Sequence, residues 1–185
     1  MALDPRGFTL AELLVSLAVV GLVMAGTLSL LIQGQQTYLA GAGRIEAQQN
    51  ARVALERMAS EIRAAGYNPR GAGFSAIVNQ TETGLTLQND WNGDGIIGGR
   101  GEVVVYLLRG TTLRRNAGGG AQPVVEGVER LRLVYLDSAG RPTADRAAIR
   151  SVEVSITTLP EGTRAAWSTG RVGASMTTAV RLRNR

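Results

Sequence analysis

The residues with the clearest capacity for chemistry lie in Asp90-Trp91-Asn92-Gly93-Asp94-Gly95-Ile96-Ile97, a D-x-N-x-D-G-x-I run. Side-chain oxygens at alternate positions, a glycine for the sharp turn and a carbonyl at the seventh position are what a Ca2+ loop requires. On that reading Asp90, Asn92 and Asp94 offer side-chain oxygens, Ile96 its carbonyl, and Glu102 a bidentate closing carboxylate. The twelfth position is Gly101, so the closing acid comes one residue late, and the flanks read as strands where an EF-hand needs helices. Asn, Asp and Gly at this density also build plain turns. Calcium and a simple turn between strands both stay open here.

Catalytic chemistry has little else to draw on. The chain has no Cys and no His, and its twenty cationic side chains are all Arg. Activated thiols, His general bases, Lys nucleophiles and His- or Cys-ligated metals are therefore excluded within it. A carboxylate pair drawn from Asp90, Asp94 and Glu102 is what remains, and no enzyme is expected. The net charge of +5 is scattered, with short clusters at Arg114-Arg115, Arg130/Arg132 and Arg181/Arg183/Arg185. Two Trp, four Tyr and two Phe do not interleave with a basic run, so a nucleic-acid partner is not expected.

Glu12 is the other residue with chemical interest. It is the one ionisable group in FTLAELLVSLAVVGLVMAGTLSLLI, residues 8–32, a stretch long enough to cross a bilayer as a helix. A carboxylate in such a span is costly unless it reaches the interface or finds a partner. A cleaved secretory signal would have a shorter apolar block, a basic stretch before it and a small-residue cut after it. This block is too long, and reads as an anchor that stays. Gly21 and Gly26 within it each weaken a helix by about 1 kcal/mol in water relative to Ala, but allow close helix packing in a bundle.

Beyond the apolar block the helical pattern continues. Ala51, Leu55, Met58, Ala59 and Ile62 form one apolar stripe, and Arg52/Glu56 and Arg57/Glu61 form i,i+4 charge pairs elsewhere. Gly66 reads as the left-handed cap, and Asn68-Pro69 as the stop. Strands are expected at 74–79, 84–88, 102–109, 112–115, 128–137, 149–159 and 175–183. Alternation is clearest where Val152, Val154 and Ile156 face away from Glu153 and Ser155, and Val180 and Leu182 away from Arg181 and Arg183. The expected fold is α+β, a long N-terminal helix packed by its amphipathic half on an antiparallel sheet.

Gly7-Phe8-Thr9-Leu10-Ala11-Glu12, followed directly by the apolar block, resembles the cleavage and methylation signature of type IV pilins and type II secretion pseudopilins. The resemblance implies the type IV pilin fold, cleavage by prepilin peptidase between Gly7 and Phe8, N-methylation of Phe8 and a register role for Glu12. It divides the chain into a leader at 1–7, a transmembrane and filament-core helix at 8–32, its amphipathic continuation at 33–66 and a β-rich domain at 67–185. The leader, with Arg6 as its single cation, is less basic than many in the family. Residues 52–67 (RVALERMASEIRAAGY), together with EVVVYLL, VERLRLVYLDSAG and TTAVRLRN, resemble PilW-type minor pilins, related to the J-type pseudopilin. The implied partners are prepilin peptidase, other major and minor pilins, the inner-membrane assembly platform and, as a further candidate, a tip adhesin. The implied location is the inner membrane, then a pilus or pseudopilus. A secretion pseudopilin, or a signal-anchored surface protein that never polymerises, are the alternatives.

Overall fold

The computed structural model describes residues 7–160 and 173–184. The leader before Gly7 and the terminal Arg185 lie outside them. The chain divides into two compact units, Met1–Gly41 and Ala42–Arg185. Helix α1, Leu10–Ala64, contributes its first part to one unit and its second to the other.

In the second unit the expected stripe is the buried face of α1. Ala51, Met58 and Ile62 are fully buried, and Leu55 and Ala59 nearly so. Gly43, Ala47 and Ala54 extend that face with small side chains, which lets other backbone approach closely. A Cβ at Gly43 would stand 3.1 Å from Cβ of Pro160.

Among the described residues, eight strands follow α1. They are β1 (Ile77–Gln80), β2 (Gly84–Gln88), β3 (Val103–Arg109), β4 (Thr112–Asn116), β5 (Ala121–Val125), β6 (Val128–Leu136), β7 (Ser151–Thr158) and β8 (Ala174–Arg181). All named pairings are antiparallel. The architecture is thus α+β, as expected, but the strands form two sheets. Strands β1-β2-β3-β4-β5 make one, and β6-β7-β8 the other. The chain leaves the first sheet after Val125 and enters the second at Val128. A hydrogen bond there runs from Val128 N to Thr111 O (2.8 Å), and the Tyr135 hydroxyl on β6 reaches the carbonyls of Thr81 and Gly84 beside β2. Both sheets and α1 share one hydrophobic core.

Strand β5 was not expected. Its A-Q-P-V-V sequence has little alternation, and Pro123 cannot donate to a ladder. It occupies the sheet edge, where the missing N–H is tolerated. Strand β7 alternates as anticipated, with Val152, Val154 and Ile156 fully buried.

The C-terminal end of α1 is satisfied by distant segments. Arg183 N donates to Arg63 O (3.2 Å), and Asn184 Nδ2 to Ala64 O (2.9 Å), supplying partners for carbonyls that the helix cannot satisfy itself. Gly66 follows with φ +81°, and its N–H donates to Gln88 O on β2 (2.9 Å). A Cβ there would lie 2.9 Å from Cβ of Ala76, so both backbone conformation and space require glycine.

Glu61 does more than the expected pairing with Arg57. It accepts the Tyr106 hydroxyl (2.7 Å) and Arg115 Nε (2.8 Å), while Arg57 lies at 3.1 Å. The carboxylate therefore ties α1 to β3 and β4. Burial, then the Glu61 hydrogen bond, holds the Tyr106 hydroxyl far above its ordinary ionisation range. Glu61→Ala strands a buried hydroxyl and a guanidinium, and is expected to cost the Ala42–Arg185 unit about 2–3 kcal/mol in urea denaturation. Tyr106→Phe, which leaves the ion pairs standing, should cost about 1 kcal/mol.

Candidate functional site

Two places carry the residues singled out by sequence. The first is the start of α1. Thr9 stands before the first helical residue, and Glu12 is three residues on, in the relation of a capping box. Thr9 N and Thr9 Oγ1 both donate to Glu12 Oε2 (3.0 and 2.8 Å), while Glu12 N donates to Thr9 Oγ1 (3.3 Å). This local role is legible in the T-x-x-E spacing, and the sequence reading overlooked it. The box uses Oε2. Among the described residues, Oε1 of Glu12 has no hydrogen-bond partner.

The large side chains that follow, from Leu10 through Ile32, are exposed. Among the described residues, α1 is the one helix long and apolar enough to cross a membrane. Its few hydroxyls are satisfied within the helix. Ser16 Oγ donates to Leu13 O, Thr27 Oγ1 to Val23 O and Ser29 Oγ to Ala25 O, at 2.9–3.0 Å. An apolar surface with internally bonded hydroxyls is what a lipid environment demands.

Residues 4–28 match the prokaryotic N-terminal methylation motif. The chain carries a type IV prepilin-like signal. Such a motif is the signal by which prepilin peptidase recognises type IV pilin-like and pseudopilin substrates. No curated protein matches the chain. With the α+β architecture, the prepilin-like signal gives the whole a pilin-like organisation: an apolar N-terminal helix continuing into a sheet domain.

The second place is the loop between β2 and β3. Its oxygens are turned inward by the loop's own backbone. Asp90 Oδ1 accepts from Gly93 N (2.8 Å) and Asp94 N (3.1 Å), and Oδ2 from Gly95 N (3.0 Å). Asn92 Oδ1 accepts from Asp94 N, and Asp94 Oδ1 from Ile96 N (2.8 and 2.7 Å). At the far end Glu102 Oε2 accepts from Gly99 N (2.6 Å) and Gly98 N (3.2 Å). Gly95 has φ +84°, the conformation its turn position needs.

Asp90 and Glu102 are buried, and none of the ion pairs among the described residues involves them. Backbone N–H donors balance their charge instead. Among the described residues, no group of three His, Cys, Asp or Glu side chains gathers closely enough to hold a metal ion. Of the oxygen set expected for Ca2+, Asp90, Asn92, Asp94 and Glu102 accept hydrogen bonds from backbone N–H groups of the same loop, Ile96 N among them.

Donation from Gly98 N, then Gly99 N, holds the Glu102 carboxyl below its ordinary value of 4.5, against the opposing effect of burial. Its contribution to stability is then present above that value and lost as pH falls through the lower folded-state value. Thermal melting of wild type should fall more steeply from about pH 5 to pH 3 than that of Glu102→Gln. Asp90→Ala leaves the N–H groups of Gly93 and Gly95 without an acceptor, and should lower the melting temperature by about 5–10 °C in EDTA. A metal-braced loop would show that deficit only with Ca2+ present.

Proposed function

We propose that the chain is a minor type IV pilin, a non-enzymatic subunit that primes or caps pilus assembly after cleavage between Gly7 and Phe8. The observation that carries this reading is the contiguous Gly7-to-Glu12 signal running into a helix whose apolar side chains are exposed. Such a surface needs lipid, and then other helices, to cover it. The sheet-domain strings resembling PilW-type minor pilins favour a few-copy subunit over a shaft subunit.

Glu12 sets the register in this mechanism. Cleavage leaves Phe8 with a cationic amine, which is disfavoured among apolar helices unless a carboxylate meets it. Oε2 of Glu12 is engaged with Thr9 of its own chain, while Oε1, without a hydrogen-bond partner among the described residues, accepts the amine of a neighbouring subunit. The pair fixes axial position more than it adds raw stability, because a misregistered subunit buries two uncompensated charges. The inner-membrane assembly platform and other pilins are the partners this mechanism requires.

Intact-mass analysis of the protein expressed with prepilin peptidase should show a chain beginning at N-methylated Phe8. A chain that keeps Met1 or Ala2 rejects the reading in favour of a surface protein that never polymerises. Glu12→Ala should leave membrane insertion intact and abolish recovery in sheared filaments. Normal incorporation of that variant would remove the register role. Co-purification with secretion pseudopilins in place of pilus subunits would assign the chain to a type II secretion tip.

A further inference from the structure

One end of the second unit concentrates aromatic and cationic side chains that the filament mechanism does not use. Tyr67 and Trp91 stack with ring centroids 5.3 Å apart and planes at 22°. Both are exposed, Trp91 at 53% and Tyr67 at 40%. They line an open groove of about 460 Å³ together with Ser60, Arg63, Arg183 and Asn184.

The groove is built by the backbone. Asp90 N donates to Tyr67 O (2.8 Å), joining the segment after α1 to the 90–102 loop and setting the two rings side by side. Arg183 N donates to Arg63 O, which brings the two arginines to one wall. Arg52, Arg57, Arg115, Arg132 and Arg141 each face a carboxylate. Among the described residues, the guanidinium groups of Arg63 and Arg183 face none.

We propose that this groove binds an acidic peptide segment of a partner protein. Guanidinium groups take carboxylates in a two-point fork, and the exposed indole face receives an apolar or aromatic side chain beside them. Charge complementarity argues for this occupant, since two guanidinium groups without an ion-pair partner among the described residues line one groove beside the stacked rings. A single-stranded nucleic acid needs a basic track along its backbone and a series of stacking platforms. Here one stacked pair and two guanidinium groups match one or two carboxylates and a side chain. The groove lies wholly within the Ala42–Arg185 unit, so its test stands apart from the filament reading.

The probe is a fluorescein-labelled Glu-Glu-Tyr-Glu-Glu peptide, titrated with the detergent-solubilised full chain and followed by anisotropy. Saturable, salt-sensitive binding is expected. The double variant Arg63→Ala/Arg183→Ala should weaken it by about tenfold or more, and Trp91→Ala by about threefold or more. Arg130→Ala, which removes an exposed cation elsewhere, should change it by less than about twofold. Circular dichroism of each variant checks that the fold is kept. Absence of saturable binding overturns the proposal, as does equal weakening by Arg130→Ala. Tighter binding of a twelve-residue oligothymidylate, lost in the same double variant, also overturns it and identifies a nucleic-acid groove instead.

Discussion

The sheet domain depends on one constraint, the burial of a narrow stripe of α1. Met58 and Ile62 supply volume, while Ala47, Ala51, Ala54 and Ala59 keep the face shallow. A shallow face lets two separate sheets reach the same helix, and side chains from both complete a single core around it. Polar ties then fix the arrangement. Glu61 links α1 to β3 and β4, and Thr158 Oγ1 donates to Ala47 O (2.6 Å), linking it to β7. The helix is thus the common element that two sheets are bonded to, and its sequence has to serve both.

The first unit obeys an opposite rule. There the apolar residues face outward, and hydroxyls fold back onto their own carbonyls. Among its described residues, no side chain before Gly41 belongs to a buried core. Its surface has meaning only in a medium or an assembly that supplies apolar neighbours. Glu12 closes the start of that helix. One carboxylate oxygen accepts from Thr9 N and Oγ1, and among the described residues the other accepts no hydrogen bond.

The 90–102 loop shows how far composition constrains a site and where it stops. Asp, Asn and Gly at those spacings produce a tight, inward-turned loop whether or not a cation is involved, because backbone N–H groups and cations compete for the same oxygens. In this structure the N–H groups hold them. The hydrogen bond from Asp90 N to Tyr67 O in turn sets Trp91 beside Tyr67.

Local signals made much of this legible. The prepilin-like signal, the apolar span, the stripe from Ala51 to Ile62, the Gly66 cap and most strands follow from patterns a few residues long. Those patterns reflect short-range physics: helix period, pleat alternation and the glycine requirement of a left-handed turn. Other features were decided by tertiary structure alone. The division of strands into two sheets, the edge position of β5, the ties from Glu61 to Tyr106 and Arg115, and the meeting of Arg63 and Tyr67 with Trp91 and Arg183 each join residues far apart in sequence. No local pattern encodes which distant partner a carboxylate or an indole will meet, because the closing of the shared core on α1 selects it.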